Sequence, residues 1–408
     1  MMDRDYDVVI YGATGFVGSR AAEYLAEHRQ RDKLRWAIAG RDRRKLEAIK
    51  ARLAGAAAVD VLTADSADQS AVDTMVARTR VLLNVAGPFV LYGSAIVDAC
   101  VRLRTHYVDI TGETVWVKSL IDRYHDKAAG AGTRVIPFCG FDSVPSDLGS
   151  YLLVRHLQRT FGVECRQVKG YFQMYGGFNG GTVATDINVR ESGATVPGRN
   201  PFLLNPPQAH SQHEIDRSLD PTGVAYDGAI GAWVGPFIMG AINTRVVRRS
   251  AALYAQWQQP YGLDFHYQEY TKFDPPLAWG KAALITGLMA LYDGAMEPVW
   301  TRGLLKSLLP KPGSGPSEQT MNTGWFTTEL LGLAADGRTA RARIHHQGDP
   351  SNRATVRFAC ESALSLALNA DALPGGRARG GVLTPATGLG EVLAERLRNA
   401  GVAIEFGS

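Results

Sequence analysis

Cysteine is scarce. The four, Cys100, Cys139, Cys165 and Cys360, lie far apart in 408 residues. With no C-x-x-C pair, neither a disulfide framework nor a structural zinc site is indicated. Charge of one sign is also lacking. Lys plus Arg number 44 and Asp plus Glu 40, a net charge of +4. A dedicated nucleic-acid binder gathers a strong basic excess on one face, so nucleic acid is excluded as a partner. Long hydrophobic runs are missing too: no charge-free stretch exceeds 17 residues, and the one from Gly228 to Thr244 contains glycine, proline and asparagine. A spanning helix needs about 20 mostly apolar residues. The opening MMDRDYD leads into a short apolar strand and not into the core of a signal peptide. A cytoplasmic chain with reduced thiols is therefore expected. Glycine is the residue in excess, 44 of 408, against a usual share of about 7%. Tight turns or close backbone approaches call for it.

At roughly 150 residues per domain, the length suggests two or three domains. Through the first 140 residues short β-branched runs alternate with helical stripes. Asp7–Tyr11, Arg35–Gly40, Val59–Ala64, Val81–Val85, His106–Ile110 and Arg134–Phe138 read as strands. Such alternation predicts an α/β fold with a Rossmann-type, doubly wound parallel sheet, because parallel strands need crossover helices. Further on, Glu164–Tyr175 and Asp264–Phe273 read as longer strands. Trp325–Ala334 and Thr339–His346 flank an Asp336-Gly337 turn. An α+β second domain with an antiparallel sheet follows, with a helix around Ala282–Leu291 and a surface loop at Pro310–Pro316. The last sixty residues read as helices that return to the first domain. The expected division is 1–145 for nucleotide, 146–350 for substrate and 351–408 for the returning helices.

Gly12-Ala13-Thr14-Gly15-Phe16-Val17-Gly18 is a G-x-x-G-x-x-G turn between the first strand and first helix. In that setting Gly12 permits the turn, Gly15 lets the backbone approach a pyrophosphate, and Gly18 lets helix and strand pack closely. The N–H groups of Thr14, Phe16 and Val17 lie where a helix N-terminus receives phosphate. A glycine-rich turn without ligand is the alternative. At the end of the second strand stands Arg41, followed by Arg43, Arg44 and Lys45. An acid there would select NAD, whereas an arginine suits the 2′-phosphate of NADP. NADP is the expected cofactor; a solvated basic face is the alternative. Asp42 suits an N-cap. Asp65 is placed for the adenine edge. Asn84-Val85-Ala86-Gly87-Pro88-Phe89 belongs beside the nicotinamide ribose, with Ala86, Gly87 and Pro88 as contacts.

Together with the glycine turn, Ala39-Gly40-Arg41 and the NVAGPF loop, three more segments are distinctive. They are Tyr107-Val108-Asp109-Ile110-Thr111-Gly112-Glu113, Gly140-Phe141-Asp142-Ser143-Val144-Pro145-Ser146-Asp147 and Gly176-Gly177-Phe178-Asn179-Gly180-Gly181-Thr182. With Gly381-Val382-Leu383-Thr384-Pro385 they make the chain resemble the saccharopine dehydrogenase-like oxidoreductases over nearly its whole length. Within that family it is most similar to the trans-acting enoyl reductases that serve polyketide synthases in bacterial lipid and glycolipid assembly. The resemblance implies NADPH and a lipid-like acyl substrate. One departure stands at Gly348-Asp349-Pro350-Ser351-Asn352, where those reductases tend to carry Gly-Tyr after the proline; the missing aromatic bears on substrate more than on cofactor.

Enoyl reduction needs a hydride at the β-carbon, a donor to the enolate oxygen and a proton for the α-carbon. Tyr92, Asp142 and Ser143 are the candidate catalytic residues, with Tyr171 and Tyr175 as further donors. Each also has a structural reading, as a core or rim tyrosine or as a helix cap. Ala229–Ile242, followed by Arg245, Arg248 and Arg249, reads either as an acyl-chain wall or membrane-facing patch with cations for a phosphopantetheine or lipid headgroup, or as buried core with a solvated basic end. His210/His213 and His345/His346 lack a third ligand, so no metal is proposed. The expected partners are a hydrophobic acyl substrate, free or carrier-bound, a plasma-membrane surface touched peripherally, and a second copy of the chain. Three functions stay open: an NADP-dependent enoyl reductase, a C–N oxidoreductase acting on an amino-acid adduct, and a non-catalytic NADPH-binding protein at a membrane surface.

Overall fold

Strands form in the first part of the chain where β-branched and other apolar residues run unbroken, as expected for strands covered on both faces. The computed structural model describes residues 4–177, 179–308 and 313–407. Its first sheet has β1 (Tyr6–Tyr11), β2 (Trp36–Gly40), β3 (Val59–Thr63), β4 (Thr79–Asn84), β5 (His106–Asp109), β6 (Arg134–Ile136) and β13 (Gly381–Val382). The order is β13-β6-β5-β4-β1-β2-β3, and every pairing is parallel. β1 therefore lies between β2 and β4, the point where the winding reverses. Crossovers are made by α1 (Phe16–Glu27), α2 (Arg43–Lys50), α3 (Gln69–Ala77), α4 (Phe89–Tyr92), α5 (Ser94–Leu103) and α6 (Thr114–Gly130).

The helix α7 (Val144–Phe161) leads from β6 into the second sheet and is buried along most of its length. Gly149 and Gly332 admit it: a Cβ on Gly149 would come within 2.6 Å of Leu330, and one on Gly332 within 2.9 Å of Leu157. The second sheet comprises β7 (Cys165–Tyr175), β8 (Ala225–Asp227), β9 (Ala232–Pro236), β10 (His266–Phe273), β11 (Trp325–Ala334), β12 (Thr339–Gln347) and β14 (Ala403–Gly407). Its order is β14-β12-β11-β7-β10-β9-β8.

The expected antiparallel sheet is in fact mixed, because β7 and β10 run parallel. Between them the chain crosses over through α8 (Gly180–Glu191), α9 (Thr195–Gly198), α10 (Gln212–Arg217) and α11 (Gly240–Gln256). A return of that length brings a strand back in the same direction, which no hairpin can do. The β11–β12 hairpin forms as its turn predicts, with Gly337 at φ +90°.

After β10 come α12 (Ala278–Met296), α13 (Val299–Leu308) and α14 (Glu318–Thr323). The C-terminal part contains α15 (Thr355–Leu368), α16 (Pro385–Gly388) and α17 (Gly390–Asn399). As expected, α15 returns to the first sheet, packing on α1, β4 and β5, with α17 against it. Four strands escaped the sequence reading: β8 and β9 are short and lie in and beside a stretch read only as apolar, β13 has two residues, and β14 ends the chain. β13 joins the first sheet and the others the second. One continuous core, from Val8 and Leu83 to Leu330 and Ile344, runs beneath both sheets.

Candidate active site

Loops at the carboxyl ends of six neighbouring strands share one edge of the first sheet, where an open α/β sheet binds its ligands. Gly12 has φ +87°, and a Cβ there would stand 2.8 Å from Ala86 N. A Cβ on Gly18 would lie 2.1 Å from Gly12 O, whereas one on Gly15 meets only Gly12 O, at 3.3 Å. Packing thus demands glycine at 12 and 18, while Gly15 borders open space of the kind a pyrophosphate approach requires. Gly15 caps α1 without any side-chain hydrogen bond, so the first-turn N–H groups at Phe16, Val17 and Gly18 face outward along the axis. Thr14 reaches the end of β2, its Oγ1 lying 4.0 Å from a Cβ built on Gly40. The Phe16 ring is sandwiched between the Arg20 guanidinium, 3.7 Å from its centroid, and Gly315. Phe16 therefore offers its N–H rather than its ring.

These two glycines should fail differently. Gly18→Ala is expected to cost about 2–3 kcal/mol of stability through overpacking. Gly15→Val should leave the thermal midpoint within about 2 °C, as surface changes do, yet abolish detectable NADPH binding by calorimetry. Unchanged affinity in the valine variant would remove the turn from the site.

Arg41 follows β2 and is exposed, with no hydrogen-bond or ion-pair partner among the described residues. Its neighbours are occupied: Arg43 pairs with Glu47 at 3.3 Å and Lys45 with Asp42 at 3.9 Å. Asp42 caps α2 as its position suggested, accepting from Lys45 N at 3.1 Å. Asp65, after β3, is exposed and closes a turn by accepting from Ala67 N at 3.0 Å.

The Ala86-Gly87-Pro88 loop is held from below. Ala86 N donates to Asn84 Oδ1 (3.0 Å), and Asn84 Nδ2 donates to Tyr107 OH (3.1 Å). Glu113, after β5, is buried and accepts from Phe89 N and Val90 N at 2.7 Å each. Burial raises its carboxyl even though those two N–H groups favour the anion. Sequence reasoning assigned Glu113 no role; its only signal was its place in the distinctive Tyr107–Glu113 segment. α8 lies over this loop, with Thr185 Oγ1 3.9 Å from a Cβ built on Gly87. Phe178, just before α8, lies outside the described residues. Tyr92 is 40% exposed at the end of α4, its hydroxyl without a hydrogen-bond partner among the described residues.

Asp142 and Ser143 follow β6. Asp142 is half-buried and has no hydrogen-bond partner among the described residues; burial pushes its carboxyl up to about 6. Ser143 does not cap α7 with its side chain. Instead Ser143 Oγ donates to Asn243 Oδ1 at 3.0 Å, so its single proton is engaged. Asp147, in the same motif, is fully buried and accepts from Ser250 Oγ and from Ala386 N, binding α7 to α11 and α16.

Other sequence expectations need correction. Arg245, Arg248 and Arg249 are buried and neither solvated nor free for a headgroup. Arg245 pairs with Asp220, Arg248 donates to Pro201 O (3.0 Å) and Tyr267 O (3.2 Å), and Arg249 donates to Leu204 O and Val382 O. They clamp the segment around 199–204 onto α11, and burial pulls Arg248 and Arg249 down to about 9. Tyr171 is buried in the second sheet and donates to Asp227 Oδ2 at 2.8 Å, whereas Tyr175 is exposed at the end of β7. Ala229–Ile242 becomes β9 and the first turn of α11, with Val234 and Phe237 buried. Ile238 in that stretch is exposed, but a longer run of exposed apolar side chains lies on α12 and the start of α13: Trp279, Leu284, Leu288, Leu291, Val299 and Trp300. In the Gly348–Asn352 segment Asp349 and Asn352 are buried, and Asn352 accepts from Asn179 Nδ2 at 3.0 Å, bracing the start of α8.

Residues 8–136 match the family model of the saccharopine dehydrogenase NADP binding domain. The trans-acting enoyl reductase of Mycobacterium bovis is 34% identical to this chain, over 98% of each. That of Mycobacterium ulcerans is also 34% identical, over 98% of this chain and 97% of its own. The chain belongs to the saccharopine dehydrogenase-like oxidoreductases, in the family of the trans-acting enoyl reductases. Two solved structures share the fold. Saccharopine dehydrogenase (L-Glu forming) from Saccharomyces cerevisiae superposes with a TM-score of 0.53 at 13% identity, covering 98% of this chain and 99% of that one. Homospermidine synthase from Legionella pneumophila, in complex with NAD, gives a TM-score of 0.53 at 9% identity over 100% of this chain and 91% of that one. This family member is an NADP-dependent oxidoreductase. Its edge is compatible with the cofactor: Gly15 leaves room at the α1 N-terminus, and Arg41 is exposed and unpaired among the described residues at the end of β2, so both would be available to a pyrophosphate and a 2′-phosphate. Among the described residues no helix is long and apolar enough to cross a membrane.

Proposed function

We propose that this oxidoreductase reduces the carbon–carbon double bond of an enoyl thioester whose acyl chain is lipid-like and carrier-bound, in lipid or glycolipid assembly. Asp142 carries the reading. A carboxyl near pKa 6 with no partner, at the carboxyl edge of the sheet, is suited to keep and then give a proton near neutral pH. Bound NADPH supplies the hydride. Asp142 gives its proton to the α-carbon, and Tyr92, on the rim, offers its O–H to the thioester carbonyl. Glu113 holds the loop between them, and α8 covers Gly87 and limits water.

The C–N reading has less support. A substrate with several carboxylates needs free paired cations, and Arg245, Arg248 and Arg249 are committed to internal acceptors. The apolar strip on α12 favours a lipid-like substrate and peripheral contact with a membrane surface, which competes there with a second copy of the chain. α12 is joined to α8 by Tyr292 OH donating to Asp186 Oδ2 at 2.8 Å and by the 2.7 Å ion pair of Arg190 with Asp293. The test is NADPH consumption with a long-chain trans-2-enoyl thioester of coenzyme A. One saturated thioester is expected for each NADPH oxidised. Turnover with saccharopine-type substrates, and none with enoyl thioesters, would reverse the assignment.

A further inference from the structure

Four parts of the chain meet behind Asp142. Ser143 comes from the loop after β6, Ser146 from α7, Asn243 from α11, and Tyr267 and Glu269 from β10. All five side chains are buried. Glu269 Oε2 accepts from Ser146 Oγ and from Tyr267 OH at 2.7 Å each, and Oε1 accepts from Asn243 Nδ2 at 2.8 Å. Asn243 Oδ1 in turn accepts from Ser143 Oγ. Three donors and no paired cation surround the carboxylate among the described residues. A carboxylate only accepts, so the Asn243 amide must turn its NH2 toward Glu269 and its oxygen toward Ser143. Each link then has one possible direction. Ile242, one residue before Asn243, lies 3.0 Å from a Cβ built on Gly112, so the start of α11 is also seated on the β5 loop.

We propose that Glu269 is a positioning residue for the candidate acid, fixing the loop that carries Asp142 through Asn243 and Ser143. The role in turnover rests on the reading of Asp142 above. A protonated Glu269 carries a hydrogen of its own, so one of its three donors loses its acceptor and the amide is freed to rotate. Burial pushes this carboxyl up to about 7. The loop is therefore ordered above neutrality and loosened below it.

Other charged and titratable groups face Glu269. Tyr267 has its phenol held well above the usual range by burial, and the Asp220 charge raises Glu269 further although Arg245 pairs with it. Arg248 feels Glu269 but spends its N–H groups on carbonyls, and Asp147 is satisfied by Ser250 and Ala386. None of them replaces Glu269 as acceptor for Asn243.

Two measurements on the full chain test this. In hydrogen exchange, corrected for intrinsic rates, the peptide 140–147 should gain protection as pH rises through about 7. In Glu269→Gln its protection should be lower and independent of pH. In turnover of the same enoyl thioester, Glu269→Gln should lose the acidic limb of the kcat profile. Its kcat should fall about tenfold with KM for NADPH unchanged, a loss sized to one network link. Asn243→Ala keeps the carboxylate on Ser146 and Tyr267, so it serves should the glutamine variant fail to fold, and the same two changes are expected. Protection that ignores pH in the parent, or variants with the parental kcat profile, would overturn the proposal. A parent without enoyl turnover would defeat the functional reading alone, since the exchange measurement still decides whether Glu269 orders the loop.

Discussion

Arg41→Ala is expected to weaken NADPH binding about 30- to 100-fold while leaving NADH binding unchanged. A bidentate, charge-assisted contact to a phosphate is worth about 2–3 kcal/mol, and each 1.4 kcal/mol is a factor of ten. The contact is made only by the coenzyme with a 2′-phosphate, so the loss must be selective. Arg41 is the fitting group because it is exposed and unpaired at the end of β2, while Arg43 and Lys45 have carboxylate partners beside them. Arg44, also exposed and without a side-chain partner among the described residues, leaves a residual positive field, which sets the upper end of the effect. Arg41→Lys should fall in between, since an ammonium keeps the charge without the planar fork. Because the site is exposed, the difference should shrink as salt is added. Calorimetric titration with both coenzymes decides: an equal loss for NADH would mean that Arg41 shapes the loop and does not read the phosphate.

Asp142→Asn should lower kcat by about 10²- to 10⁴-fold, the range for losing a general acid, with little change in KM for NADPH. In the parent, activity should decline as pH rises through about 6, because the acid must be protonated to act. The asparagine variant should lack that basic limb. Stability gives an independent sign. The folded carboxyl titrates above its ordinary value of 3.8, so between the two values the folded chain binds more protons than the unfolded one. Stability from this group is then greatest at low pH and lost as pH rises toward 6. Asp142→Asn should accordingly be more stable than the parent at pH 8 and no more stable at pH 4, by thermal unfolding. A variant that is stabler but slower would mark a catalytic group. A variant that is less stable at pH 8 and equally slow would mark a structural one.

The first sheet was legible almost strand for strand because its signals are local. A buried parallel strand of five or six residues announces itself as an apolar run, and a crossover helix as a stripe of period 3.6. The nucleotide loops were legible for the same reason: Gly12, Gly15 and Gly18 lie within seven residues, and Arg41 directly ends a strand. The parallel pairing of β7 with β10 was not legible, since direction was set by where a crossover of four helices returned. Nor was β13, whose two residues carry no periodicity. Glu113 and Asn243 look like ordinary loop and helix residues until Phe89 and Ser143 are brought to them.

Sequence by itself determined the architecture of the nucleotide half and pointed to NADP, because both readings draw on residues adjacent in the chain. Only the tertiary structure decided which charged and hydroxyl groups remain available. Arg41 and Asp142 stay unpartnered at the sheet edge. Arg245, Arg248, Arg249, Tyr171 and Ser143, equally plausible as isolated letters, are taken up by acceptors 19 to 133 residues away. A side chain's chemistry depends on what reaches it in space, and such distant partners leave no periodic mark in the order of amino acids.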